Sequence, residues 1–224
     1  MYACPKTCPF CSRNLYCERR DKINSFLRNS LLTEKQQKDI ALYCDRDGTD
    51  FKEFTQLKEI ENSADEFVKS GKNLFLHSSN CGNSKTSWAI KILKSYFVKS
   101  WARLSFGCHG LFISVPRFLL ALKDNIDSHN EYAEFIKENV YDADVVVWDD
   151  IATKVGTEFE LNHMLSIVDA RLSAGKSNIY TSNLSKNDIA RVLGMRLMSR
   201  ICNSAVDIEL FGSDKRWIER GDDK

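Results

Sequence analysis

The sequence predicts an α/β fold: three αβα layers around a five-stranded parallel sheet, preceded by a small helical module that binds zinc. Three observations carry this expectation. A short apolar strand near residue 75 runs into a loop of small residues, then a lysine and a hydroxyl at the head of a helix. A second strand, Val145–Trp148, is apolar throughout and ends in the acidic pair Asp149 and Asp150. Cys4, Cys8, Cys11 and Cys17 crowd the N-terminus.

Size and composition set the limits. The chain has 224 residues, 43% of them hydrophobic and 28% charged, with a formal net charge of +1. That is enough to bury one substantial core. A near-zero net charge excludes general attraction to polyanions, so any nucleic-acid contact must be local. No apolar run reaches the roughly 18 residues of a membrane helix, and no signal peptide heads the chain. With its remaining cysteines scattered, the expectation is a cytoplasmic, reduced protein without membrane contact.

Residues 1–45 read as a separate module. Cys8-Pro-Phe-Cys11 has the spacing that points two thiolates at one Zn²⁺, with Cys4 and Cys17 completing a tetrahedral set and Cys44 as a substitute ligand. A segment too short for its own core would draw folding energy from the metal. A redox pair or free thiols are the alternatives. Residues 21–44 then read as helical, with Ile23, Phe26, Leu27, Leu31 and Leu32 on one stripe, and Thr33 as an N-cap. The polar run Asp45–Asp50, containing Gly48, is the expected boundary to a second domain over 46–224.

That domain opens with an amphipathic helix over 51–70. Strands are expected at 73–78, 111–115, 144–149, 177–182 and 206–210. Between them lie helices at 86–100, 117–125 (Pro116 at its start), 132–141, 158–173 and from Ser185 onward. Residues 101–110 mix Trp101, Arg103, Phe106 and His109, and read as a loop with some buried aromatics or as a stacking surface for single-stranded bases.

The chemistry concentrates at two stretches. A phosphate loop follows Gly-x-x-x-x-Gly-Lys-Thr; this chain reads Ser79-Asn80-Cys81-Gly82-Asn83-Ser84-Lys85-Thr86, with Ser87 next. Loop amides and the helix dipole would cradle the phosphates of ATP, Lys85 would add a point charge, and Thr86 would hold Mg²⁺. Serine replaces both outer glycines, and only Gly82 survives. At any position that demands positive φ this costs about 1 kcal/mol or more. The acidic pair completes the site: Asp149 for Mg²⁺, Asp150 for the attacking water. Asn183, at the tip of the fourth strand, reads either as a partner of the γ-phosphate or water, or as a helix N-cap. Arg196 and Arg200, four apart on one helical face, read as a finger toward a neighbouring subunit or as local ion pairs.

From Phe51 onward the chain resembles the DnaC/DnaI-type helicase loaders of the AAA+ ATPases, with the IstB transposition ATPases as close relatives. The resemblance rests on Tyr180-Thr-Ser-Asn-Leu-Ser, Leu193-Gly-Met-Arg-Leu-Met-Ser-Arg200-Ile and Phe211-Gly-Ser-Asp-Lys-Arg216. It implies the AAA+ P-loop fold, with Asn183 as sensor 1, Arg200 as the finger beside Arg196, and Arg216 as a terminal arginine. A cysteine-rich N-terminal module resembles loaders of the DnaI kind. The implied function is ATP-dependent loading of a DnaB-type hexameric helicase onto single-stranded DNA in the primosome, with self-association through the ATPase domain. Its compactness suggests a phage or mobile-element origin. The rivals are an IstB-like ATPase on duplex DNA and a hydrolysis-deficient helicase adaptor or inhibitor.

Overall fold

The computed structural model describes residues 17–42, 44, 48–80, 82–153, 156–202 and 205–212. The elements run α1 (Glu18–Arg28), α2 (Glu34–Gln37), α3 (Phe51–Asn62), α4 (Ala64–Lys69), β1 (Asn73–His77), α5 (Lys85–Ser100), β2 (Gly110–Ser114), α6 (Val115–Asp127) and α7 (Glu131–Asn139). They continue with β3 (Val145–Asp149), α8 (Glu158–Ser173), β4 (Ser177–Ser182), α9 (Lys186–Cys202) and β5 (Ala205–Glu209). The five strands form one parallel sheet in the order β2-β3-β4-β1-β5. All five expected strands are present, each within one residue of its expected ends.

Strand alternation sorts the apolar side chains into two layers. Leu74, Leu76, Val145, Val147 and Ile179 face α1, α3, α4 and α5. Phe75, Leu111, Ile113, Val146, Trp148 and Tyr180 face α6, α7, α8 and α9. This is the αβα sandwich the apolar runs require.

Three helices differ from expectation. Residues 21–44 are not one helix: α1 stops at Arg28, and a single turn, α2, starts at Glu34. Ser30 Oγ turns back to donate to the Leu27 carbonyl (2.7 Å), and Leu31 takes φ 63°. The freed Ser30 carbonyl accepts from the Phe112 amide at 2.8 Å, so the departing chain covers the edge strand β2. Thr33 is an N-cap in a full capping box with Gln36. Likewise the helix expected over 51–70 divides at Ser63. The helix from Ser185 is broken at Gly194, whose φ 78° and ψ 154° are open to glycine and strained for other residues.

The helical part of the N-terminal segment is not isolated from the sheet. Ile23, Phe26 and Leu27 lie in the same core as α3 and α5, and the Phe26 and Phe97 rings sit 5.6 Å apart. Cys4, Cys8 and Cys11 fall outside the described residues. Cys17 is a half-buried free thiol, and among the described residues no cluster of His, Cys, Asp or Glu has metal-site geometry.

At the amino ends of the strands a buried arginine ties the sheet together. Arg171 of α8 is fully buried and donates to Asn178 Oδ1 (2.8 Å) and to the carbonyls of Val140, Ala143 and Ser177. Burial pulls its pKa down to about 10. A guanidinium is among the few cations able to satisfy so many acceptors at once.

Candidate functional site

Parallel strands place ligands at their carboxyl ends, and here β1, β3 and β4 bring the expected residues to one place. Insertion of β4 between β1 and β3 sets its tip directly beside both the phosphate loop and the acidic pair.

The loop leaves β1 at Ser78, whose Oγ accepts from the Asn80 amide (2.9 Å) and from Asn83 Nδ2 (2.6 Å). Gly82 has φ 78° and Ser84 φ 69°, both left-handed, whereas Ser79 is not among the positive-φ residues. Of the two serine replacements, then, only Ser84 carries backbone strain. Cys81 falls outside the described residues. Lys85 begins α5 and is only 5% exposed. Its Nζ donates to the Asn80 carbonyl (2.9 Å) and to Asn83 Oδ1 (2.7 Å). Ser87 lies half-buried in the same first turn.

One residue on, Thr86 Oγ1 donates to Asp149 Oδ1 at 2.8 Å, joining the phosphate loop to the end of β3. Thr181 Oγ1 donates to the same oxygen at 2.7 Å. Thr181 also accepts from the Asp150 amide at 3.0 Å, which fixes the left-handed turn at Asp150 (φ 57°). The sequence reading missed Thr181; its signal was a hydroxyl two residues before Asn183 on a strand buried throughout. Burial raises the Asp149 pKa to about 6, against the hydrogen bond from Thr181; the neighbouring Asp150 charge raises it further.

Asn183 Nδ2 donates to Asp150 Oδ1 at 2.7 Å. The helix-capping role belongs to Ser185, whose Oγ accepts from the Asp188 amide (3.3 Å). Asn183 is thus not the helix cap; it holds the second carboxylate.

Arg196 and Arg200 do not join this cluster. Both are exposed and line a hollow between α8 and α9 with Leu165, Asp169, Met195 and Ser199. Arg200 Nε pairs with Asp169 Oδ1 at 2.6 Å. Arg216 falls outside the described residues. In the 101–110 segment Leu104 is buried, Arg103 stacks over Tyr96, and His109 bonds Asp144 (3.1 Å), leaving Phe106 exposed. This segment enters β2 at its amino end, away from the phosphate loop.

A lysine at a helix head, a converging hydroxyl and carboxylate, and a strand tip set between them gather at the carboxyl ends of a five-stranded parallel sheet that fits the AAA+ αβα fold. Comparison with solved structures agrees on that fold. A crystal structure of the DnaC helicase loader matches with a TM-score of 0.63 at 18% identity, over 80% of this chain and 100% of that one. A structure of DnaI matches with a TM-score of 0.59 at 20% identity, over 84% and 95%. The replication initiator DnaA bound to AMPPCP and single-stranded DNA matches with a TM-score of 0.59 at 15% identity, over 82% and 52%. The structural neighbours are thus DnaC/DnaI helicase loaders and DnaA, and what is shared at these identities is the fold. No protein-family model matches the chain, and no curated protein matches its sequence.

The residues present fit ATP and Mg²⁺. A hydroxyl and a desolvated carboxylate in contact form an oxygen pair suited to a hard cation, and a loop turned left-handed at Gly82 and Ser84 precedes a buried lysine.

Proposed function

We propose that this chain is an ATP-dependent loader of a hexameric, DnaB-type replicative helicase onto single-stranded DNA. The observation that carries the reading is the convergence of Thr86, Thr181 and Asn183 on Asp149 and Asp150, on the fold that DnaC and DnaI share.

ATP with Mg²⁺ supplies the phosphoanhydride whose cleavage drives release of the loader. Lys85 and the amides of 80–84 hold the phosphates; Thr86 and Asp149 hold the cation. Burial lifts the Asp149 pKa only to about 6, so its carboxylate is already ionised at neutral pH, and a bound cation would offset the cost of burying that charge. Asp150 orients the attacking water and accepts its proton, and Asn183 keeps that carboxylate in place. Arg200, turned from Asp169 toward a neighbouring protomer, completes the site there, so assembly depends on nucleotide. Arg216 would add a second cationic contact. Residues 1–45 carry the helicase-binding surface, with α1 anchored in the core and zinc on Cys4, Cys8, Cys11 and Cys17 ordering the stretch before it; the cysteine spacing supports this.

A second reading has one specific support. Ser84 strains the loop in the left-handed region, which favours a protein that binds a helicase as adaptor or inhibitor without efficient hydrolysis.

The deciding experiment is light-scattering mass of the protein mixed with a DnaB-type helicase, with and without ATP and Mg²⁺. An ATP-dependent complex lost in Lys85→Ala supports the loader. An ATP-independent complex supports the adaptor. No complex, with a mass shift on duplex DNA, sinks both and leaves a transposition ATPase.

A further inference from the structure

Asn83 has no assigned part in the reading above beyond lying in the phosphate loop, yet it is among the most constrained polar side chains in the protein. It is 4% exposed, and its amide is fully used. Nδ2 donates to Ser78 Oγ (2.6 Å) at the end of β1 and to the Leu210 carbonyl (3.1 Å) just beyond β5. Oδ1 accepts from Lys85 Nζ at 2.7 Å.

The lysine is almost out of water, so its charge needs oxygen partners close by. It finds them in the Asn83 amide oxygen and the Asn80 carbonyl, both part of its own loop. The next residue after Leu210 extends the network: the Phe211 carbonyl accepts from Asn80 Nδ2 (2.9 Å), and the Phe211 and Gly212 amides donate to the Asp50 carboxylate, each at 2.7 Å. The loop is therefore fastened to the segment after β5, and that segment to the head of α3.

Resting on the reading of this loop as a nucleotide site, we propose that Asn83 is a latch: its amide oxygen takes the place of a phosphate oxygen on Lys85 and keeps the loop closed until nucleotide displaces it. The latch makes nucleotide binding weaker than the remaining site would allow, because the Lys85–Asn83 bond must first be given up. Its release frees the Asn83 amide from the strand end at Leu210, so the state of the loop is felt after β5 and, through Phe211 and Gly212, at Asp50.

The test compares ATP affinity of the unaltered protein and Asn83→Ala, by titration calorimetry in Mg²⁺ buffer. The latch predicts about tenfold tighter binding by Asn83→Ala, the size of one charged hydrogen bond no longer competing. Equal or weaker binding by a variant that melts as the parent does would overturn it. A crystal structure of the unaltered protein with a non-hydrolysable ATP analogue tests the same point if Asn83→Ala does not fold. There Lys85 Nζ should lie beyond hydrogen-bond distance of Asn83 Oδ1, and a retained contact overturns the latch. If neither folded protein binds ATP, the nucleotide reading itself falls and the latch with it.

Discussion

Thr86 and Asp149, sixty-three positions apart, meet through a 2.8 Å hydrogen bond from Oγ1 to Oδ1. The bond links the head of α5 to the tip of β3, and both residues are expected at the cation. Replacing Asp149 by Asn keeps an acceptor for Thr86 and Thr181 while removing the charge. The folded pKa lies near 6, above the ordinary carboxylate value. The stability tied to the protonated acid is therefore full below about pH 4 and lost as the pH rises through 6. Asp149→Asn should unfold like the parent at pH 4. Above pH 6 it should be more stable by up to about 3 kcal/mol in metal-free buffer. Denaturant unfolding at both pH values checks this; an equal gap at both would be wrong for it. Binding of Mg²⁺-ATP should fall in the same variant.

Ser84 occupies a left-handed conformation that glycine adopts freely. Ser84→Gly should raise stability by about 0.5–1 kcal/mol by relieving this strain, an effect that greater unfolded-chain entropy partly offsets. Ser79→Gly, at a position without positive φ, should give no gain. Melting curves of the pair separate the two loop positions that sequence alone treats alike.

Arg171, fully buried, holds three carbonyls and Asn178. Arg171→Met fills the same space but takes this donor from the three buried carbonyls, leaving Asn178 Oδ1 its bond from Trp148 Nε1 (3.1 Å), and should cost about 3 kcal/mol or more. Chemical denaturation reads the loss; a cost under 1 kcal/mol would contradict the buried network.

Asn183 and Asp150 form the hydrogen-bonded pair on which the proposed water activation rests. Asn183→Ala should lower ATP turnover by about tenfold to a hundredfold while leaving ATP affinity within about twofold. Steady-state hydrolysis and a binding titration on the same sample test that split. A matching loss in affinity would mean that Asn183 holds nucleotide rather than the carboxylate.

Arg200 is half-exposed in its pair with Asp169, so that pair contributes under about 1 kcal/mol. Arg200→Ala should melt close to the parent yet lose ATP-dependent self-association in sedimentation. Retained association would remove Arg200 from the subunit contact.

Much was legible in the sequence because it is local. Apolar runs such as Val145–Trp148 can only be buried strands, and the residues at their carboxyl ends are where a parallel sheet gathers its ligands. That is why Lys85, Thr86, Asp149 and Asp150 could be named from motif and strand pattern, whereas Asn183 stayed open between a phosphate or water partner and a helix cap until the resemblance was added. Tertiary structure decided the rest. Strand order placed β4 between β1 and β3, which let Thr181 join the Asp149 carboxylate to the Asp150 backbone amide and gave Asn183 to the Asp150 carboxylate rather than to a helix cap. Backbone geometry decided that Ser84 is strained and Ser79 is not. The end of α1 was set by β2, whose edge amide needed the Ser30 carbonyl. Periodicity reports which face of an element is apolar; which distant polar group satisfies a buried donor is fixed only when the layers close.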